Sequence, residues 1–196
     1  MPKVSKAIMH DFLTQHLASL CAFYKIKRWE DLERIQFGTS PDQLKKLEQA
    51  LVAERLFKAI KQGYWPGVNP TATVFELWPK DEKLAVIEII VSRIAPLFYS
   101  EVRQKEAFEP LDFTLPTAKH VMESEAYQKY LVSLKKPISP ATKRLHDKTL
   151  PIIAANGFIH VSEKLLDRHP LEKGIPRFLR TRSFNFFYFH STGYFP

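Results

Sequence analysis

Apolar residues recur at helical spacing over residues 6–24. Ile8, Met9, Phe12, Leu13, Leu17, Leu20, Cys21 and Tyr24 form one broad stripe, and Ser5 is placed to cap its start. Cys21 lies on that stripe and reads as a buried small hydrophobe. Trp29 to Phe37 predicts a short helix closed by Gly38. The run Ser40-Pro41-Asp42-Gln43 is a capping box with proline at the first helical position. The helix it opens carries Leu44, Leu47, Leu51, Leu56 and Ile60 on one side and stops at Gly63.

Residues 63–70 form a turn-rich connector. Thr71 to Trp78 alternates in β-branched and aromatic residues, which predicts a strand ended by Pro79. Residues 82–95 carry two opposed signals. Their length and Asp81 as a cap favour a buried helix ending near Pro96, whereas Val86, Ile87, Ile89, Ile90 and Val91 favour a strand. We read a helix, continued over 97–107, with a hairpin of 71–78 and 84–91 as the alternative. After a loop at 108–116, Thr117 to Lys135 reads as a helix. Ser139-Pro140 opens another, Thr149-Leu150-Pro151 marks a restart, and Asn156-Gly157 marks a turn or helix end. Ser162 to Arg168 predicts one more short helix. From Gly174 helix signals fade, and Ser183 to His190 reads as an extended aromatic segment.

These elements predict a mainly α single domain with a possible small β contribution, α+β being the other possibility. A chain of 196 residues with 45% apolar and 26% charged residues supports one domain with a real core. The single cysteine excludes an internal disulfide, and no segment reaches the roughly 18 continuous apolar residues that span a bilayer. Together with an N-terminus unlike a secretory signal, this points to the cytoplasm.

Charge divides the chain unevenly. Residues 1–134 hold 18 Lys and Arg against 17 Asp and Glu, whereas residues 135–196 hold 11 against 4. The chain thus reads as a near-neutral helical body, 1–134, and a basic, aromatic C-terminal region, 135–196, packed on the body as part of the same domain. Within that region Arg177, Arg180 and Arg182 lead directly into Phe184, Phe186, Phe187, Tyr188 and Phe189. Arginine and aromatic rings are the types enriched at interface hot spots, so these eight residues are the candidate partner-binding set. An ordinary C-terminal strand with its rings in the core is the plainer reading of the same residues.

Patterns that carry chemistry are missing from the sequence. The seven histidines, at 10, 16, 120, 146, 160, 169 and 190, form no zinc pattern with the lone cysteine. The six glycines give no phosphate-cradling loop, and no Gly-x-Ser-x-Gly elbow occurs. Paired carboxylates such as Glu106/Glu109 and Glu123/Glu125 sit in polar stretches. The reading is therefore a non-enzymatic interaction subunit with no catalytic residue, metal or cofactor: an adaptor, a chaperone-like protein or an accessory component of a larger assembly, such as a secretion-type machine. Its partners would be other protein subunits. Nucleic acid bound through the basic last third is the alternative, and peripheral contact with an anionic membrane surface is a further possibility.

Overall fold

The computed structural model of the protein describes residues 6–35, 38–63, 72–80, 85–104, 138–170 and 174–189. Within them, a five-stranded sheet stands where the sequence pattern predicted mostly helix. Its strands are β1 (Phe57–Gly63), β2 (Ala72–Pro79), β3 (Ala85–Ser92), β4 (Leu97–Gln104) and the short β5 (Ile159–His160). They lie in chain order across the sheet. β1 to β4 form an antiparallel meander, and β5 adds in parallel to β4. The mainly α expectation is thereby overturned, and the fold is α+β.

The reason lies in β3. Val86, Ile87, Ile89, Ile90 and Val91 are all buried. Ile87, Ile89 and Val91 point to one side of the sheet and Ile90 to the other. A strand covered on both faces loses the alternation that normally reveals it, and its length then imitates a buried helix. Phe75 opposite Ile89 and Val74 opposite Ile90 make the β2–β3 hairpin that the sequence offered as its second choice. Residues 97–107, also read as helix, form β4 as far as Gln104.

Helices cover both faces. On one side α2 (Pro41–Ala53) and α3 (Pro140–Ala155) bring Leu44, Leu47, Leu51 and Ile153 onto Phe75, Leu77, Ile87, Ile89 and Phe98. On the other, α1 (Lys6–Phe23) packs with α4 (Glu163–Leu166), α5 (Arg177–Arg180) and α6 (Phe184–Phe189) over Ala72, Ile90 and Leu97. A 3-10 turn, Trp29–Arg34, closes one side of this second core through Leu32. Among the described residues, no helix is long and apolar enough to cross a membrane.

Local signals placed the caps well. The Ser40 hydroxyl accepts from the Gln43 backbone N–H at 3.2 Å, and the Gln43 side chain accepts from the Ser40 N–H at 3.0 Å. Ser139 caps α3 in the same way, taking the Thr142 N–H at 3.1 Å. Pro151 sits inside α3 without ending it, so the restart expected there is one continuous helix. α2 stops at Ala53 rather than Gly63. Arg55 takes a left-handed conformation (φ 54°), which turns the chain into β1.

Gly38 has a different role from the helix end expected of it. A Cβ there would sit 2.5 Å from the Ile94 carbonyl oxygen, so only glycine allows this approach. Beside it, the Thr39 hydroxyl donates to the carbonyls of Ser92 (2.8 Å) and Ala95 (3.2 Å), fastening the entry to α2 onto the β3–β4 turn. The helix read over 117–135 and most of the 63–70 connector lie outside the described residues.

The expected extended aromatic tail is also corrected, because residues 184–189 are helical. Phe184, Phe187 and Tyr188 follow the i, i+3, i+4 spacing of a helix face, and Ser183 accepts the Phe186 N–H at 3.3 Å. Replacing Phe184 with alanine removes a fully buried ring and is expected to cost about 3–5 kcal/mol of folding stability, whereas Arg182→Ala stays within about 0.5 kcal/mol. Urea denaturation of the two variants checks this. Equal effects would contradict the placement of the ring.

Candidate functional site

The structure separates the residues that the sequence grouped. Phe184, Phe187, Tyr188 and Phe189 are buried in the chain's own core against α1 and the sheet. Phe184 meets the edge of His10 at 5.3 Å between ring centres, and Phe189 meets Tyr99 at 4.9 Å. Phe186 is half-buried, with the Arg182 guanidinium 5.1 Å above its face. Arg177 and Arg182 are exposed, and Arg180 is half-buried. The rings thus face inward and two of the three arginines outward, so this part of the chain presents cations rather than rings to solvent.

A polar link holds α6 in place. Tyr188 is fully buried, and its hydroxyl donates to the Leu13 carbonyl at 3.2 Å. The same oxygen lies 2.8 Å from His16 Nδ1, which therefore carries the proton in this arrangement. Burial pushes the Tyr188 hydroxyl well above its ordinary pKa and lowers that of His16. Cys21 lies in the same core, and burial raises its thiol to about 11, which keeps it protonated and unreactive at neutral pH.

On the opposite side of the sheet, the fold assembles a pair that no sequence spacing announces. Ser100 on β4 and His146 on α3 are 46 residues apart, yet Ser100 Oγ lies 2.7 Å from His146 Nε2. The other ring nitrogen, Nδ1, is 3.6 Å from an Asp147 carboxylate oxygen. Burial lowers the pKa of His146 despite the neighbouring Asp147 charge, so the imidazole is neutral at pH 7. Burial lowers His160 as well, and the nearby His146 adds to the shift. Serine, histidine and aspartate in this order resemble a nucleophile with its base. However, the Asp147 side chain is 76% exposed and, at 3.6 Å, too far from the ring for a hydrogen bond that would orient it. By its geometry the contact holds α3 against β4. Sequence reasoning misses this pair, because neither residue has a local signature.

Open grooves on the described surface include three with charged linings. One of about 550 Å³, beside the entry to α2, mixes Lys45 and Arg93 with Glu48. A second, about 690 Å³, sets Lys27 and Arg177 around Ile26 and Phe178. The third, about 430 Å³, lies between α3 and the corner where β1 starts and β2 ends, and its charged lining is Lys80, Arg144 and Lys148. Among the described residues, no three His, Cys, Asp or Glu side chains are grouped to hold a metal ion.

The lowered pKa values have a definite consequence. The fold disfavours protonated His16, His146 and His160, whereas the unfolded chain binds those protons near the ordinary value of 6.5. Stability from these groups is complete above that value and is lost as pH falls through the lower folded values. Asp31, held below its ordinary 3.8 first by the Lys27 backbone N–H and then by the Arg28 N–H and the Arg34 charge, acts only in a more acid range. The urea midpoint is therefore expected to fall between pH 7 and pH 5, and to fall less in His146→Gln. A pH-independent midpoint across this window would contradict it.

Comparison with protein-family models, curated proteins and solved structures returns no match for this chain.

Proposed function

We propose that the chain is a non-enzymatic binding protein of the cytoplasm whose partner is another protein. The observation that carries this reading is the outer face of α1. Ile8, Phe12 and Phe23 are among the exposed large apolar residues, and Phe23 is 78% exposed. At 100° per residue they fall within about 60° of one another around the helix, with Gln15 and Ser19 between them. Apolar side chains aligned on one exposed helix face are the pattern by which a helix enters a partner's groove. The chain leaves this face at Phe23 and runs directly to Ile26 and Lys27, which line the groove that also contains Arg177. An apolar stripe running toward a cationic groove suits a protein surface with apolar anchors and an acidic rim.

This reading moves the binding surface away from most of the residues first nominated for it. Of those, Arg177 and Arg182 are exposed, Arg182 lying over the face of Phe186. The nucleic-acid alternative is weakened by the burial of Phe184, Phe187, Tyr188 and Phe189, since stacking needs rings that bases can reach.

Phe12→Glu/Phe23→Glu is expected to abolish recovery of partners after cross-linking in the source cells. Its urea midpoint should stay close to that of the parent, because both side chains are exposed. Undiminished partner recovery by the folded double variant would refute the α1 surface.

A further inference from the structure

We propose that the groove between α3 and the β1–β2 corner is a docking site for an acidic, extended segment of a partner protein. This rests on the protein-binding reading but concerns a different face of the molecule from α1. Three features carry it.

The first is charge. Ala141, Arg144, Leu145 and Lys148 share one face of α3, at i, i+3, i+4 and i+7, and Lys80 stands opposite at the end of β2. Three cations therefore line one groove, and none of the described ion pairs involves any of them. The one acid on α3, Asp147, is three residues past Arg144 and has its carboxylate 3.6 Å from His146 Nδ1. Like charges held around a single concavity focus a field that a carboxylate side chain can neutralise.

The second is order. Arg144 Nε donates to the Pro140 carbonyl one turn back, at 3.3 Å. That bond leaves the terminal guanidinium nitrogens free of this contact and limits the side chain's rotation before any ligand arrives. A planar donor fork fixed in advance loses less entropy on binding a carboxylate than a free lysine does.

The third is what lies between the charges. Leu56, Pro79 and Leu145 form an apolar floor, and Thr142 is buried beneath the rim. Aspartate or glutamate in a peptide, interspersed with apolar residues, matches cations around a hydrocarbon floor. Inorganic phosphate would leave that floor uncovered. Among the described residues no aromatic ring lines the groove, so they offer a nucleobase nothing to stack on. The volume, about 430 Å³, suits a few side chains rather than a folded surface.

The test uses the full chain and a fluorescent synthetic peptide of alternating Glu and Leu, read by anisotropy at physiological salt. Comparison probes are the Gln-for-Glu peptide, a short DNA duplex and inorganic phosphate as competitor. Arg144→Glu/Lys148→Glu is expected to weaken peptide binding by about tenfold or more, and Arg144→Gln/Lys148→Gln by less. The charge-matched Lys45→Glu/Lys46→Glu, on α2, should change it less than twofold. Equal loss in both reversed pairs would show diffuse attraction to a basic protein and overturn the site. So would equal binding of the Gln peptide, no binding of the acidic peptide, or tighter binding of the duplex or phosphate through the same residues. Partner recovery separates the two readings. If Arg144→Glu/Lys148→Glu still recovers partners that Phe12→Glu/Phe23→Glu loses, the groove proposal fails and the α1 surface stands.

Discussion

β3 has no exposed face, and the rest of the molecule is arranged around that constraint. A meander of antiparallel strands commonly keeps one side in water. Here Ile87, Ile89 and Val91 on one side and Ile90 on the other are all buried, so both sides must be covered. Each such side chain contributes roughly 1.5–3 kcal/mol when removed from water, and neither layer of helices is dispensable. α2 and α3 supply one cover. The other is shared between the first helix and the last three, which draws the two ends of the described chain into one core. Residues 177–189 are therefore architectural before they are anything else.

Tyr188 shows how that second layer is held in register. An apolar ring at this position could fill the same space in several rotations of α6. A buried hydroxyl cannot, because leaving it without a partner costs about 1–3 kcal/mol. The Leu13 carbonyl and His16 satisfy it from successive turns of α1, so α6 is fixed relative to α1 by direction as well as by volume. The remaining rings, Phe184 against His10 and Phe189 against Tyr99, then pack around an orientation already chosen.

What the sequence made legible follows the range of each signal. Capped helix starts at Ser40 and Ser139 were readable because cap, proline and first turn lie within four residues. The inward position of Cys21 was readable from its stripe. Strands were harder. Leu56 stands five residues past Leu51, about 140° round a helix from it, so the spacing itself already departs from the stripe of Leu44, Leu47 and Leu51 where the left-handed turn at Arg55 leads into β1. β3 concealed itself through burial on both faces. In the last segment, aromatic composition argued for an extended chain while the spacing of Phe184, Phe187 and Tyr188 argued for a helix. Packing against α1 sided with the spacing. Ser100 and His146 meet only because β4 and α3 do, and no reading of either neighbourhood could have paired them.

The same sorting changes what the positive charge means. Arginines followed by rings suggest, in sequence, one mixed surface that a partner must cover. Folding that segment into short helices separates the two kinds of residue by direction, rings toward α1 and most of the cationic groups toward water. Solvation of the exposed cations needs no partner, so Arg177 and Arg182 are not evidence of binding merely by being charged. Cations become informative where the fold gathers them in a concavity with an apolar floor, as at Lys80, Arg144 and Lys148. Exposed rings become informative where they align, as Phe12 and Phe23 do on α1. Both arrangements depend on helix geometry and on which face the sheet claims. Surfaces fit for recognition are thus what remains after the two-sided core has taken the side chains it requires.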